Sequence, residues 1–73
     1  MNIEYDQQAD ALYLNLLNKK QKVSKSKEVA PGIILDLDKK GKPLGLEILA
    51  VSEKLQPADL FNFSVKSLTH AGA

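Results

Sequence analysis

Five carboxylates stand at spacings that suit chemistry: Asp6 and Asp10, then Asp36 and Asp38, then Glu47. Hard oxygen ligands of this kind fit Mg²⁺ or Ca²⁺. A carboxylate pair also does acid–base work where burial raises one pKa. Asp36 and Asp38 point the same way along a strand. Asp36 and Glu47 become diagonal neighbours if two strands pair around Gly41. The rest of the inventory offers such a site little support. The chain has no Cys, no Trp, no Arg and a single His. Thiolate chemistry, a zinc cluster and a disulfide framework are thereby excluded. His70 lies in a polar C-terminal stretch with Ser64, Ser67 and Thr69, where nothing orients a base toward a nucleophile. Gly32, Gly41 and Gly45 are isolated turn or strand glycines, not a phosphate loop. The plainer reading makes Asp6 and Asp10 turn formers that bond their own backbone, and makes the other acids surface charges facing lysines. No catalytic, cofactor or metal residue is assigned. The alternative is a small metal-binding or hydrolytic domain built on surface carboxylates.

Tyr5 and Tyr13 offer rings for stacking, but aromatic rings more commonly extend a core with their hydroxyls at its rim. Lys19, Lys20, Lys22, Lys25 and Lys27 form a run with no acid among them. Such a run suits phosphates or an acidic partner. It better suits a solvated edge strand, since lysine on an edge blocks aggregation. The run contains no aromatic residue and the chain no Arg, so nucleic acid is the disfavoured partner.

The elements that must position these groups follow from length and pattern. At 73 residues, 44% apolar and 26% charged, the chain has the composition of one small globular domain. Net charge is +1. No stretch approaches the roughly 18 apolar residues of a membrane span. The acidic start, Met1 to Asp6, has no apolar leader core, which points to the cytoplasm. A domain this small buries only about 60% of its unfolded surface. With no disulfide to help, a homodimer or a small protein partner is expected.

Ile3 and Tyr5 alternate with polar residues, and residues 6–10 read as a turn. Leu12, Leu14 and Leu16 then share one face. This period of two favours a strand over the helix that Ala and Leu would also allow. Residues 22–29 suit a half-solvated edge strand. Ala30-Pro31-Gly32-Ile33 is a type II turn, with Pro31 fixing φ and Gly32 supplying a positive one. Residues 33–38 and 43–51 form a hairpin closed at Lys40-Gly41. It pairs Leu37 with Leu44, Leu35 with Leu46 and Ile33 with Ile48, and on the other face Asp36 with Gly45 and Ile34 with Glu47. Leu49, Val51 and Ile34 on that second face need a cover. Ser52 is a candidate cap for a short helix, and Pro57 suits the first position of a helical turn. Leu60, Phe61 and Phe63 are candidates for docking on the sheet or on a neighbour. Residues 1–63 read as the domain and 64–73 as a tail.

Three segments carry a resemblance: residues 5–14 (YDQQADALYL), residues 28–38 (EVAPGIILDLD), and Gly41 followed by residues 44–49 (LGLEIL). In order and spacing they resemble the bacterial domain-of-unknown-function family 2283. The resemblance runs from about residue 3 to residue 52 and leaves out the C-terminal stretch. It implies a small, mostly antiparallel β domain with no assigned activity or catalytic residues. It also implies an antitoxin-like role beside a small toxin-like partner. Lys19, Lys20 and Lys22 depart from the family, whose turn there carries Gly and acid.

The expected fold is mainly β, an antiparallel β-meander of four to five strands with a short C-terminal helical segment. The expected function is a non-enzymatic protein–protein interaction module, the antitoxin-like or regulatory half of a small bacterial pair. Interface and motif candidates are Tyr5, Asp6, Asp10, Tyr13, Asp36, Asp38, Glu47, Leu60, Phe61 and Phe63.

Overall fold

Alternating apolar side chains win over helix propensity wherever a sheet can bury one side of them. The computed structural model describes residues 1–17, 19 and 21–69. Asn18, Lys20 of the lysine run and His70 of the C-terminal stretch lie outside the described residues. Strands β1 (Asn2–Asp6), β2 (Ala11–Asn15), β3 (Lys25–Ala30), β4 (Ile33–Leu37) and β5 (Pro43–Leu49) form one antiparallel sheet. A 3₁₀ turn (Val51–Glu53) and one helical turn, α1 (Pro57–Leu60), follow. Pro57 occupies the start of α1, as its fixed φ favours.

The order across the sheet is β1-β2-β5-β4-β3. It departs from a plain meander at one point: β5 inserts beside β2, and the lysine strand β3 goes to the edge. The reason is apolar pairing. Leu12 and Leu14 of β2 face Ile48 and Leu46 of β5, whereas β3 offers Lys25, Lys27 and serines.

The register of the last hairpin is as the apolar pattern requires for four pairs: Ile33 with Ile48, Ile34 with Glu47, Leu35 with Leu46 and Asp36 with Gly45. The fifth pair differs. Leu37 faces Pro43 rather than Leu44, because a bulge falls there. Asp38 and Lys42 close the loop: Asp38 N–H donates to the Lys42 carbonyl and Gly41 N–H to the Asp38 carbonyl, each at 2.9 Å. That leaves three loop residues instead of two, with Gly41 left-handed at φ 82°. Pro43 has no N–H to give the ladder, so a bulge beside it costs little.

Register divides the sheet into two unlike faces. One carries two rows, Ile3–Leu14–Leu46–Leu35 and Tyr5–Leu12–Ile48–Ile33. The other carries Glu4–Tyr13–Glu47–Ile34–Glu28 and Asn2–Asn15–Gly45–Asp36–Ser26. The strand lysines Lys25 and Lys27 pair with Leu37 and Leu35, and so stand at the edge of the leucine face. The core is thin. Among the described residues only Leu44, 4% exposed, and Val51, 0% exposed, are buried apolar side chains. Both leucine rows are otherwise half-buried or, at Ile3, exposed.

Val51 does not continue β5 onto the second face. The chain turns at Ala50, which is left-handed at φ 51°, and this delivers Val51 to the interior. Ser52 does not cap a helix either. Its N–H donates to both carboxylate oxygens of Asp10, at 3.1 and 3.2 Å, and its hydroxyl donates at 2.6 Å. The Asp10 carbonyl accepts Val51 N–H at 3.0 Å. The β1–β2 turn is thereby clamped to the corner after β5.

The hydrogen bond from the Ser52 hydroxyl holds the Asp10 carboxyl below its usual range, helped by the Ser52 N–H, Tyr5 and Lys54 against desolvation. Bonds from the Lys42 and Lys40 backbone do the same for Asp38. A depressed folded pKa stabilises above the unfolded value, near 3.9, and that contribution is lost as pH falls through the folded pKa. The melting temperature is therefore expected to be flat from neutral pH down to about 5 and to drop below about 4. An Asp10→Ala/Asp38→Ala variant should melt lower at neutral pH and show a shallower acid slope. Parallel acid slopes for the two proteins, followed by circular dichroism, would contradict this assignment.

Candidate functional site

Tyr13 sits in the middle of the carboxylate face, between Glu4 on β1 and Glu47 on β5. Its hydroxyl reaches across β5 and donates to Asp36 Oδ2 on β4 at 3.0 Å. The Ser26 hydroxyl on β3 donates to Asp36 Oδ1 at 2.6 Å. This chain of polar groups ties β2, β4 and β3 together over the back of β5. It needs Gly45 beneath it. A Cβ at position 45 would overlap the Tyr13 hydroxyl and lie 2.7 Å from its Cζ and 3.0 Å from the Leu14 carbonyl. A glycine within an apolar strand signals such a close approach.

The electrostatics make Tyr13 a donor and not a base. Burial pushes its hydroxyl pKa up, the bond to Asp36 pushes further, and the charges of Asp36, Glu47 and Glu4 add to both. Asp36 has each oxygen engaged by a hydroxyl. Beside Tyr13 an open groove of about 770 Å³ runs along Glu4, Asp6, Ala11, Glu47 and Leu49. The face presents Glu4, Asp6, Glu28, Asp36 and Glu47 with no lysine in its strand rows. It offers acceptors to a cationic group. Among the described residues no three His, Cys, Asp or Glu side chains converge as metal ligands.

The other candidates are held in turns or stand on the leucine face. Asp6 accepts Ala9 N–H at 3.1 Å within the β1–β2 turn. Asp38 accepts Lys40 and Lys42 N–H, both at 2.8 Å, within the β4–β5 loop. Asp6 is a turn former, as the plainer reading of the sequence has it; Asp38, which that reading makes a surface charge, is a turn former too, and Asp10 departs from it by bonding Ser52 and Tyr5 instead of its own turn. Tyr5 stands on the leucine face, where its hydroxyl donates to Asp10 at 3.3 Å. Burial comes first among the causes that raise its pKa, and Asp10 second. Its ring meets Phe61 edge-on, with centroids 6.0 Å apart. Leu60, Phe61 and Phe63 line a groove with Ile3, Tyr5 and Leu12, so the C-terminal segment lies over the β1–β2 end of the leucine face. It covers that end loosely, since Phe61 stays 75% exposed.

Three participants were not legible as such: Ser26, Ser52 and the role of Gly45. Gly45 carried a signal in its place between Leu44 and Leu46. Ser52 lies 42 residues from Asp10, and no local pattern links them.

These features define a class first: a small β domain made of one antiparallel sheet, with one leucine face and one carboxylate face. The chain belongs to the family of proteins of unknown function DUF2283, which it matches over residues 2–52. That span runs from the first residue of β1 to the serine that clamps Asp10. No curated protein and no solved structure matches the chain. No helix among the described residues is long and apolar enough to cross a membrane.

Gly45→Ala is expected to destabilise by about 1–3 kcal/mol through overpacking against Tyr13. In a Tyr13→Ala background most of that loss should disappear. Urea melts of the two single variants and the double variant measure the coupling. Additive losses would show that Tyr13 does not lie over Gly45.

Proposed function

We propose that this protein is a non-enzymatic protein–protein interaction module that pairs with a second copy of itself through its leucine face. The carrying observation is that face. Leu14, Leu46, Leu35, Ile48 and Ile33 line up across three strands and remain only half-buried. A sheet with one apolar face needs a second layer. The C-terminal segment supplies a cover at the β1–β2 end only. A second copy carries the complementary surface and is present at the same concentration. Packing two such faces, about 10 Å apart, makes a sandwich with a leucine core. Lys25 and Lys27 at the β3 edge then lie on its rim, where charge belongs.

An antitoxin-like or regulatory role, which the resemblance to the family implies, fits a module whose free energy comes from docking. In that role the dimer presents its outward carboxylate faces to a basic partner.

Sedimentation equilibrium at micromolar concentration is expected to give a dimer. Leu35→Lys should shift it to monomer while the far-ultraviolet circular dichroism of the sheet is retained. Leu46→Gln is the second, milder variant, and should weaken the dimer in the same direction. A wild-type monomer with two-state unfolding at that concentration would overturn the proposal.

A further inference from the structure

The strand order brings two lysine-bearing loops to one end of the sheet. The β2–β3 connection leaves β2 at Asn15, beside Gly45, and enters β3 at Lys25, beside Leu37. The β4–β5 loop leaves the sheet at the same end, after Leu37. Lys19 and Lys22 of the first loop and Lys39, Lys40 and Lys42 of the second are all exposed. The two loops flank a groove of about 420 Å³ lined by Gln21, Lys22, Ser24, Asp38, Lys39 and Lys40. Asp38 is the single acid in the two loops, and its Oδ1 is held by the Lys40 and Lys42 backbone. Ser24 N–H donates to the Leu37 carbonyl at 2.9 Å where the first loop enters β3, and the Asp38 bonds fix the tip of the second. A net charge of +1 hides this segregation, because five of the acids lie on the carboxylate face.

We propose that this lysine end binds the phosphate backbone of nucleic acid without reading its sequence. Taken alone, the run from Lys19 to Lys27 is an edge decoration. Across the groove from Lys39 and Lys40, Lys22 makes it one side of a two-sided cationic cleft, with Lys19 and Lys42 exposed in the same two loops. The groove is lined by ammonium, amide and hydroxyl groups, by one carboxylate, Asp38, whose Oδ1 is taken up by the Lys40 and Lys42 amides, and by no apolar side chain. Those donors are the ones that contact phosphate oxygens. A protein partner would need an apolar centre, and lysine is depleted in such centres. A membrane surface would need an apolar anchor as well as charge. The absence of Arg from the chain removes the bidentate contact to guanine, and no aromatic ring lines the groove for stacking on bases. What is left is charge neutralisation, which is indifferent to sequence and sensitive to salt. The carboxylate face repels phosphate and so orients the approach.

Fluorescence anisotropy of a labelled duplex oligonucleotide and a single strand of equal length tests this on the full chain. Binding of two unrelated sequences with equal affinity at low salt is expected. With five lysines engaged, affinity should fall with salt at a log–log slope of about −4.5, or about 500-fold between 50 and 200 mM. Lys39→Gln/Lys40→Gln/Lys42→Gln should reduce the slope to about −2, and Lys19→Gln/Lys22→Gln to about −3. Lys66→Gln, in the C-terminal stretch, should leave it unchanged. The two multiple variants change separate exposed loops, so circular dichroism can certify one if the other misfolds. No binding at low salt would overturn the proposal, as would slopes unmoved by both loop variants. Equal, lysine-dependent binding of polyglutamate or of phosphatidylserine vesicles would overturn the assignment to nucleic-acid phosphate. Because the leucine face is not involved, failure here leaves the dimer unaffected.

Discussion

The pairing of β2 with β5 is the contact on which the rest of the molecule depends. Each end of the chain can make a hairpin from neighbouring residues, but an isolated hairpin is marginal in water. Ala11–Asn15 against Gly45–Leu49 fuses the two into one sheet. The fusion closes a loop of some thirty residues, an entropic cost that local contacts do not carry. Three groups of interactions offset it at three places. Leu12 and Leu14 meet Ile48 and Leu46 on one face. Tyr13 reaches over Gly45 to Asp36 on the other. At the end of the strands Asp10 takes Val51 and Ser52.

The legibility of the structure follows the same division. Residues 33–48 could be registered from sequence because leucine and isoleucine alternate on both sides of a turn with a left-handed glycine, and a slip would bury aspartates. Pro31-Gly32 was legible for the same local reason, and Gly32 has φ 73°. The bulge at Leu37 was not, because whether two or three residues close the loop depends on the Asp38 carboxylate and on the missing N–H of Pro43. The partner of β2 was not legible either. An apolar alternation says which side faces the core but not which strand lies alongside. The carboxylates were the least legible. Asp6, Asp10 and Asp38 look like Asp36 in sequence, yet Asp6 and Asp38 bond amides of their own loops, Asp10 takes the amide and hydroxyl of Ser52 and the Tyr5 hydroxyl, and Asp36 bonds hydroxyls from two other strands.

The chain has apolar side chains enough for one face of a five-strand sheet and too few to cover it. Its charges are sorted accordingly. Acids occupy the opposite face, lysines the β3 edge and the two loops at one end, and the aromatic C-terminal segment the far end of the leucine face. This sorting leaves three chemically distinct surfaces on a small sheet. The family match covers the sheet and its clamp but stops short of the aromatic segment.

The corner that holds the clamp has a further property. Asp10 and Ala50 both adopt left-handed backbone, at φ 52° and φ 51°, and neither is glycine. Side chains with a Cβ resist that conformation. Both strained residues adjoin the hydrogen bonds that join the two hairpins, so favourable contacts and conformational stress are concentrated at one point. Stability in such a molecule is not uniform. The backbone amides of Val51 and Ser52 report on this corner, and their hydrogen exchange reads its local opening apart from the unfolding of the sheet. Once they let go, Val51 loses its place in the interior, and the join between β2 and β5 loses the anchor at one end.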